Sequence, residues 1–124
     1  MSLTQKSSYM EDGEYNIIVD KSAKEFKISF DGKFTDKDGE QAFVNAFTAK
    51  LNAIDPTEYI FVIDVEKLTI FDQDIIEQVT NVFKFYKSCN FKLIRFVLGN
   101  GPVITKIQMK RIAGLAELDN YEFA

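Results

Sequence analysis

The segment from Tyr59 to Ile76 constrains the fold more than any other part of the chain. It begins with an apolar, β-branched run, Ile60 to Val65, which is typical of a central strand buried on both faces. The pattern turns polar at Asp72-Gln73-Asp74 and then becomes helical. Where a buried strand leads through a short loop to a helix N-terminus, α/β proteins expose reactive or recognition groups. The segment therefore predicts an α/β fold with its functional surface at this junction.

Composition limits the classes of function. The 124 residues suffice for one domain with a sizeable core. A net charge of −4 argues against nucleic acid as a partner, because phosphate binding needs a basic face. Cys89 is the only cysteine, so we expect no intramolecular disulfide and a cytoplasmic location. No apolar run approaches the roughly 20 residues needed to cross a bilayer, so no membrane insertion is predicted.

Catalysis is not expected. The chain has no histidine, which removes Ser-His-Asp and Cys-His mechanisms and weakens most transition-metal sites. We therefore predict no enzyme, no cofactor and no metal. Asp64 could form an acidic cluster with Asp72 and Asp74, but their spacing matches no calcium loop. Lys106, Lys110 and Arg111 give a small basic patch of the kind that usually marks a solvated helix face, so they are not assigned a site.

The N-terminal third predicts a hairpin. Residues 1–12 are polar and lack periodicity, so they are expected to form a flexible leader before a single domain over residues 13–124. A short strand is predicted from Tyr15 to Asp20. After a turn, residues 25–34 alternate between apolar and polar positions, which favours a half-exposed antiparallel strand.

Three helices are predicted after the hairpin. The first ends before Asp55-Pro56, because the residue that precedes proline disfavours the α region. Its apolar stripe comprises Phe43, Phe47, Leu51 and Ile54. The second has the stripe Ile75, Ile76, Val79, Val82, Phe83 and Tyr86, with Phe85 outside it as a predicted exposed apolar contact. The third has an inner face predicted to consist of Val103, Ile104, Ile107, Ile112 and Ala113, with Gly114 as its C-terminal cap.

The predicted order is β-β-α-β-α-β-α, followed by a last short helix or strand near Tyr121. A hairpin followed by β-α units implies one mixed sheet with right-handed crossovers. Because the hairpin strands are amphipathic, the helices are expected mainly on one face of this sheet.

This pattern resembles the STAS domain of anti-sigma factor antagonists and of the cytoplasmic tails of sulfate transporters. In that family a strand similar to Val62–Val65 leads through a segment similar to Lys67–Gln73 into a helix. The later elements, Phe91 to Leu98 and then 102–115, keep the family's order, so the resemblance covers about residues 13–123. It implies a bacterial, non-enzymatic regulatory module that binds an anti-sigma or kinase-like protein partner.

One position departs from the family pattern. Antagonists of this type carry a phosphorylated serine directly after the aspartate, where this chain has Gln73. Glutamine has no hydroxyl, so phosphorylation at this position is excluded. The resemblance places the partner-binding surface at Thr69, Asp72, Gln73, Asp74 and Glu77.

Two other interpretations stay open. The structural interpretation of Asp72 is an N-cap of the second helix, which is compatible with partner contact in addition, and that of Gln73 and Asp74 is a solvated first turn. The rival function is a small-ligand carrier or sensor with an apolar or anionic pocket between the sheet and the helices. A closed cavity lined by phenylalanine would favour the rival, and an exposed apolar patch beside Gln73 would favour partner binding.

Overall fold

The structure is a computed structural model. It describes the backbone of residues 2–6, 10–34, 39–68, 76–101 and 103–124, and the side chains of residues 15–30, 43–67, 76–77, 79–101 and 103–124. The strands are β1 (Ser2–Lys6), β2 (Met10–Asp20), β3 (Glu25–Phe34), β4 (Ile60–Leu68), β5 (Leu93–Val97) and β6 (Tyr121–Phe123). The helices are α1 (Gly39–Leu51), α2 (Ile76–Ser88) and α3 (Val103–Leu115), with a short 3₁₀ turn at Pro56–Glu58.

These strands form one mixed sheet in the order β1-β2-β3-β4-β5-β6. β1, β2 and β3 are antiparallel neighbours, and β3 through β6 are parallel. Each parallel step contains one helix, as the βαβ rule requires. The α/β class and the mixed sheet with an N-terminal hairpin, both predicted from the sequence, are confirmed.

The first strand departs from the prediction of a flexible leader over residues 1–12. Ser2 to Lys6 pair with Ile18 to Glu14 of β2, and β2 itself begins at Met10 rather than near Tyr15. Ladder hydrogen bonds join main-chain groups, which every residue type except proline carries in full. A polar, aperiodic segment can therefore add a strand to a sheet edge without an apolar signal in its sequence.

All three helices cover the same face of the sheet. Side chains that point to this face are buried, among them Phe26, Ile28, Phe61, Ile63 and Phe96. Helix α1 contacts them through the pair Phe26–Phe47, with ring centroids 4.9 Å apart, and α2 through Phe61–Tyr86 at 4.9 Å and Phe83–Phe96 at 5.5 Å. On α3, Lys106 Nζ lies 5.4 Å from the Phe123 ring, which packs on Phe96.

The opposite face of the sheet is not covered by these helices, and this corrects the prediction for β4. The apolar run Ile60–Val65 was expected to be buried on both faces. In the structure Phe61, Ile63 and Val65 are buried, whereas Ile60, Val62 and Asp64 are only half-buried. With helices on one side alone, alternate residues of a central strand remain partly accessible.

The core between the layers consists largely of aromatic rings. Phe43 and Phe47 of α1 are fully buried, as the spacing predicted. Phe85, expected to be an exposed contact, is half-buried, and its ring lies 5.3 Å from that of Phe47. That prediction was wrong because α1 packs beside α2 and covers a position outside the main stripe. No helix among the described residues is long and apolar enough to cross a membrane.

The buried face of helix α3 differs from the face that the sequence predicts. Its buried residues are Thr105, Met109, Ile112 and Ala113, whereas Val103, Ile104 and Ile107 are exposed. The helix is also capped later than predicted. Glu117 adopts φ 57°, its N–H donates to Gly114 O at 3.1 Å, and Leu118 N–H donates to Ala113 O at 2.9 Å. This pair of bonds is a Schellman motif, so Glu117 takes the left-handed position that Gly114 was expected to hold.

Candidate functional site

The predicted binding residues belong to the stretch of sequence between β4 and the first turn of α2. Thr69, Asp72, Gln73 and Asp74 fall outside the described residues, as does the proposed N-cap at Asp72. Glu77 is described, and its side chain is exposed in the first turn of α2. An acid in the first turn complements the helix dipole. The position of Glu77 is therefore compatible with partner contact and also with a solvated helix start.

The carboxyl ends of β4 and β5 are joined by a short hydrogen-bond chain. Asp64 Oδ1 accepts from Glu66 N–H at 3.0 Å, and Glu66 Oε2 accepts from Asn100 N–H at 2.7 Å. Gly99 adopts φ 52° beside this carboxylate, in the left-handed region that favours glycine. Glu66 thus holds the turn between β5 and α3 against the end of β4, which fixes where α3 begins.

Metal chemistry has little support in the described part of the chain. Those residues contain no group of three His, Cys, Asp or Glu side chains that could hold a metal ion. Of the three aspartates considered for an acidic cluster, only Asp64 is described.

Cys89 has the environment of a structural cysteine. Burial raises the pKa of its thiol to about 11, and its Sγ donates to Phe85 O at 3.3 Å. A thiol must lose its proton to act as a nucleophile. Cys89 is therefore unreactive as a nucleophile at neutral pH.

We expect Cys89 of the native protein to react with a disulfide reagent at pH 8 about 100-fold more slowly than in the urea-unfolded chain, because far less of the native thiol is ionised.

The raised pKa of Cys89 also affects stability, because the thiol of the native state keeps its proton at pH values where the thiol of the unfolded chain has lost it. The free energy of unfolding should therefore fall as pH rises from about 8.5 towards 11. Cys89→Ala should lack this part of the pH dependence; equal reaction rates for native and unfolded protein would contradict the assignment.

Helix α3 presents an apolar surface that the sequence prediction had assigned to the core. We call Val103, Ile104, Ile107 and Leu115 the α3 patch; these residues are 77%, 43%, 57% and 52% exposed. On the same helix Thr105 is buried, and its Oγ1 has no hydrogen-bond partner within the described structure. Burying an unpaired hydroxyl costs stability, as does leaving large apolar groups in water. The orientation of α3 is thus hard to explain by the stability of this chain alone.

The charges on α3 are all of one sign. Lys106, Lys110 and Arg111 are exposed next to the α3 patch, and residues 103–115 include no aspartate or glutamate. The whole chain, by contrast, carries a net charge of −4. The patch is therefore an apolar surface within a locally basic region of an acidic protein.

The uncovered sheet face carries a second feature, a shallow concavity of about 250 Å³. It is lined by residues of β2, β3, β4 and β5, some polar and some apolar. The lining residues are Asn16, Ile18, Lys27, Ile28, Ser29, Val62, Asp64 and Val97. It lies on the opposite side of the sheet from the helices and from the α3 patch.

Comparison with known proteins adds no assignment. No protein-family model matches the chain, and no curated protein matches it. The functional argument therefore rests on the α3 patch, the concavity and the predicted junction.

Two of these three features were missed by the sequence prediction. Helix α3 has apolar residues around most of its circumference, and this signal could have indicated a second, unburied apolar face. The concavity depends on side chains from four strands, and no local pattern in the chain brings these together.

Proposed function

We propose that this chain is a non-enzymatic protein-interaction module whose partner binds the α3 patch. The exposure of four large apolar side chains on one helix carries the proposal. Single exposed apolar residues are ordinary, but several large ones on one helix indicate an interaction surface. Burying Val103, Ile104, Ile107 and Leu115 against a partner would recover the hydrophobic free energy that the isolated chain leaves unused.

The charge on α3 selects the chemistry of the partner. An acidic segment with apolar anchors would place its apolar side chains on the patch and its carboxylates near Lys106, Lys110 and Arg111. Because most of this protein's own charge is negative, such a partner would be steered towards α3 and away from the remaining surface. A short acidic, amphipathic segment of another protein is therefore the occupant that we propose.

The proposal includes the predicted junction. Helices α2 and α3 are in contact, and Glu77 is exposed on the first turn of α2. A partner that covers the α3 patch and extends across the helical layer to Glu77 would meet the start of α2, which Thr69, Asp72, Gln73 and Asp74 precede in the chain. By its resemblance to anti-sigma factor antagonists, we propose an anti-sigma or kinase-like partner in a bacterial cytoplasm. Binding would not be switched by phosphorylation at Gln73.

A ligand pocket between the sheet and the helices has less support. Phe26, Phe47, Phe61 and Phe91 occupy this space, with ring centroids between 4.7 and 6.4 Å apart. Rings at these separations are in direct contact. The rival hypothesis of a ligand between the layers therefore ranks below partner binding.

Ile107→Glu tests the proposal. It places a negative charge in the centre of the patch without removing a core residue, so we expect the folded state to persist and partner binding to weaken at least about tenfold. Tagged wild-type and variant proteins would be used for capture from the native lysate with quantitative mass spectrometry. A protein enriched by the wild type alone would then be purified and titrated against both.

Ala23→Glu is the matched control, because Ala23 is exposed in the turn between β2 and β3 and the charge change is the same. This variant should bind like the wild type. A partner that binds Ile107→Glu as tightly as the wild type would remove α3 from the binding surface. Lys110→Glu should weaken binding as well, with a smaller dependence on salt concentration than the wild type has.

A further inference from the structure

Strand β6 lies at one edge of the sheet, and β5 is its only neighbour among the described strands. The carbonyl of Asn120 accepts a hydrogen bond of 2.9 Å from β5, and the N–H of Ala124 donates one of 2.8 Å to it. In a parallel ladder, successive residues of a strand direct their N–H and C=O groups to opposite sides. The main-chain groups of Tyr121 and Phe123 therefore point away from β5.

These outward main-chain groups can pair with a further strand. In the described structure the N–H and C=O groups of Tyr121 and Phe123 make no hydrogen bond outside the β5–β6 ladder. A row of this kind at the edge of a sheet accepts an extended segment that runs about 4.8 Å further out. Peptides that bind in this way gain affinity from main-chain hydrogen bonds and selectivity from alternate side chains.

The side chains of β6 define the two faces that such a segment would meet. Tyr121 and Phe123 point to the helical side, where their ring centroids lie 5.9 and 5.6 Å from that of Phe96. Glu122 points to the uncovered side, where its Oε2 lies 2.6 Å from Arg95 Nε. Alternate side chains of a segment added beside β6 would therefore lie on the same side of the sheet as α3.

The charge next to this edge on the helical side is positive. Lys106 Nζ lies 5.4 Å from the centre of the Phe123 ring, and Lys110 follows one helical turn later on the same side of α3. Both lysines are exposed, and no ion pair between described residues involves either of them. A second copy of this chain would bring the same lysines to the edge, so like charges oppose the pairing of β6 with itself. The charge favours an acidic segment.

We propose that the β6 edge binds an extended acidic segment of another protein, which joins the sheet as an additional strand. Its main chain pairs with Tyr121 and Phe123, and a glutamate opposite Phe123 brings its carboxylate to Lys106 Nζ. The site shares its lysines with the surface proposed for the partner of α3 but uses none of the apolar side chains of the α3 patch. It therefore stands or falls independently of that partner.

The blocked peptide Ac-Thr-Glu-Thr-Glu-Thr-NH₂ is a direct probe of this edge. Its two glutamates lie on one face of an extended chain, and it has no apolar anchor for the α3 patch. It would be titrated at pH 7 and low, constant ionic strength into the uniformly ¹⁵N-labelled full chain, with amide shifts followed by two-dimensional NMR. We expect saturable shifts at Tyr121, Phe123 and Lys106. Ac-Thr-Lys-Thr-Lys-Thr-NH₂ should produce no saturable shift.

Two N-methylated forms of the probe distinguish strand pairing from charge attraction alone. The glutamates and the threonines of an extended strand direct their N–H groups to opposite sides, so only one of these two sets faces β6. Methylation of that set removes the donors and should abolish saturable binding, whereas methylation of the other set should leave the affinity within about twofold. Equal affinities of the two forms would show that no strand is added to the sheet.

Lys106→Glu tests the charge preference. It should weaken binding of the acidic peptide about fivefold or more and allow the lysine peptide to bind instead. Lys21→Glu, the same change at an exposed residue in the β2–β3 turn, should bind the acidic peptide like the wild type. Ile104→Ser alters the α3 patch and should also leave this binding unchanged. Unchanged affinity of Lys106→Glu for both peptides, or shifts that grow linearly with peptide concentration, would overturn the proposal.

Discussion

Phe47→Ala is expected to lower the free energy of unfolding by about 3–5 kcal/mol, the usual cost of truncating a buried phenylalanine. Phe47 is fully buried at the centre of the interlayer core. Its ring contacts six others, with centroids between 4.9 and 6.4 Å away: Phe26, Phe43, Phe61, Phe85, Tyr86 and Phe91. Few neighbours could move into the space without losing contacts of their own, so the cavity is expected to persist.

Urea unfolding followed by circular dichroism measures this effect. Domains of this size have total stabilities of about 5–15 kcal/mol, so the loss would be a large fraction of the whole. Val103→Ala is the control, because its exposed side chain lies outside the core and should change stability by less than about 0.5 kcal/mol. Similar midpoints for the two variants would mean that Phe47 is not a core residue and that α1 packs differently.

Gly99→Ala is expected to cost about 2–3 kcal/mol. Part of the cost is backbone strain, because φ at Gly99 is 52°. The rest comes from overlap, since a Cβ at this position would meet Glu66 Oε2. The carboxylate would have to move and would lose the hydrogen bond of 2.7 Å that it accepts from Asn100 N–H. The β5–α3 turn would then be held less firmly against β4.

A double-mutant cycle separates the two contributions. In a Glu66→Ala background the overlap is gone, so Gly99→Ala should cost only the strain, about 1 kcal/mol. Gly114→Ala is the matched control, because a Cβ there has no atom within 4 Å. It replaces glycine within a helix and should raise stability by about 0.5–1 kcal/mol. Additive costs at Gly99 and Glu66 would refute the proposed overlap.

The candidate sites show where a local sequence pattern does not reveal which face of a helix is buried. The spacing of Phe43 and Phe47 identified the buried face of α1, because these two aromatic rings are the largest apolar side chains on that helix and lie one turn apart. On α3 the same reasoning assigned Val103, Ile104 and Ile107 to the core, although Thr105 and Met109 occupy it. Where a helix carries two apolar stripes, its sequence does not indicate which of them faces the core. The α3 patch was missed for this reason.

The sequence by itself determined the order of the elements from β2 onwards, the position of most helices and strands, and the absence of histidine chemistry. These follow from side-chain periodicity, turn residues and composition, which are properties of neighbouring residues. The tertiary structure decided which face of the sheet is covered, which stripe of α3 points outward, and that Asn16, Ser29 and Asp64 form one row across three strands. These outcomes depend on how segments far apart in the chain pack against one another. The packing energy is distributed over all of those segments, so the sequence of any one segment does not reveal it.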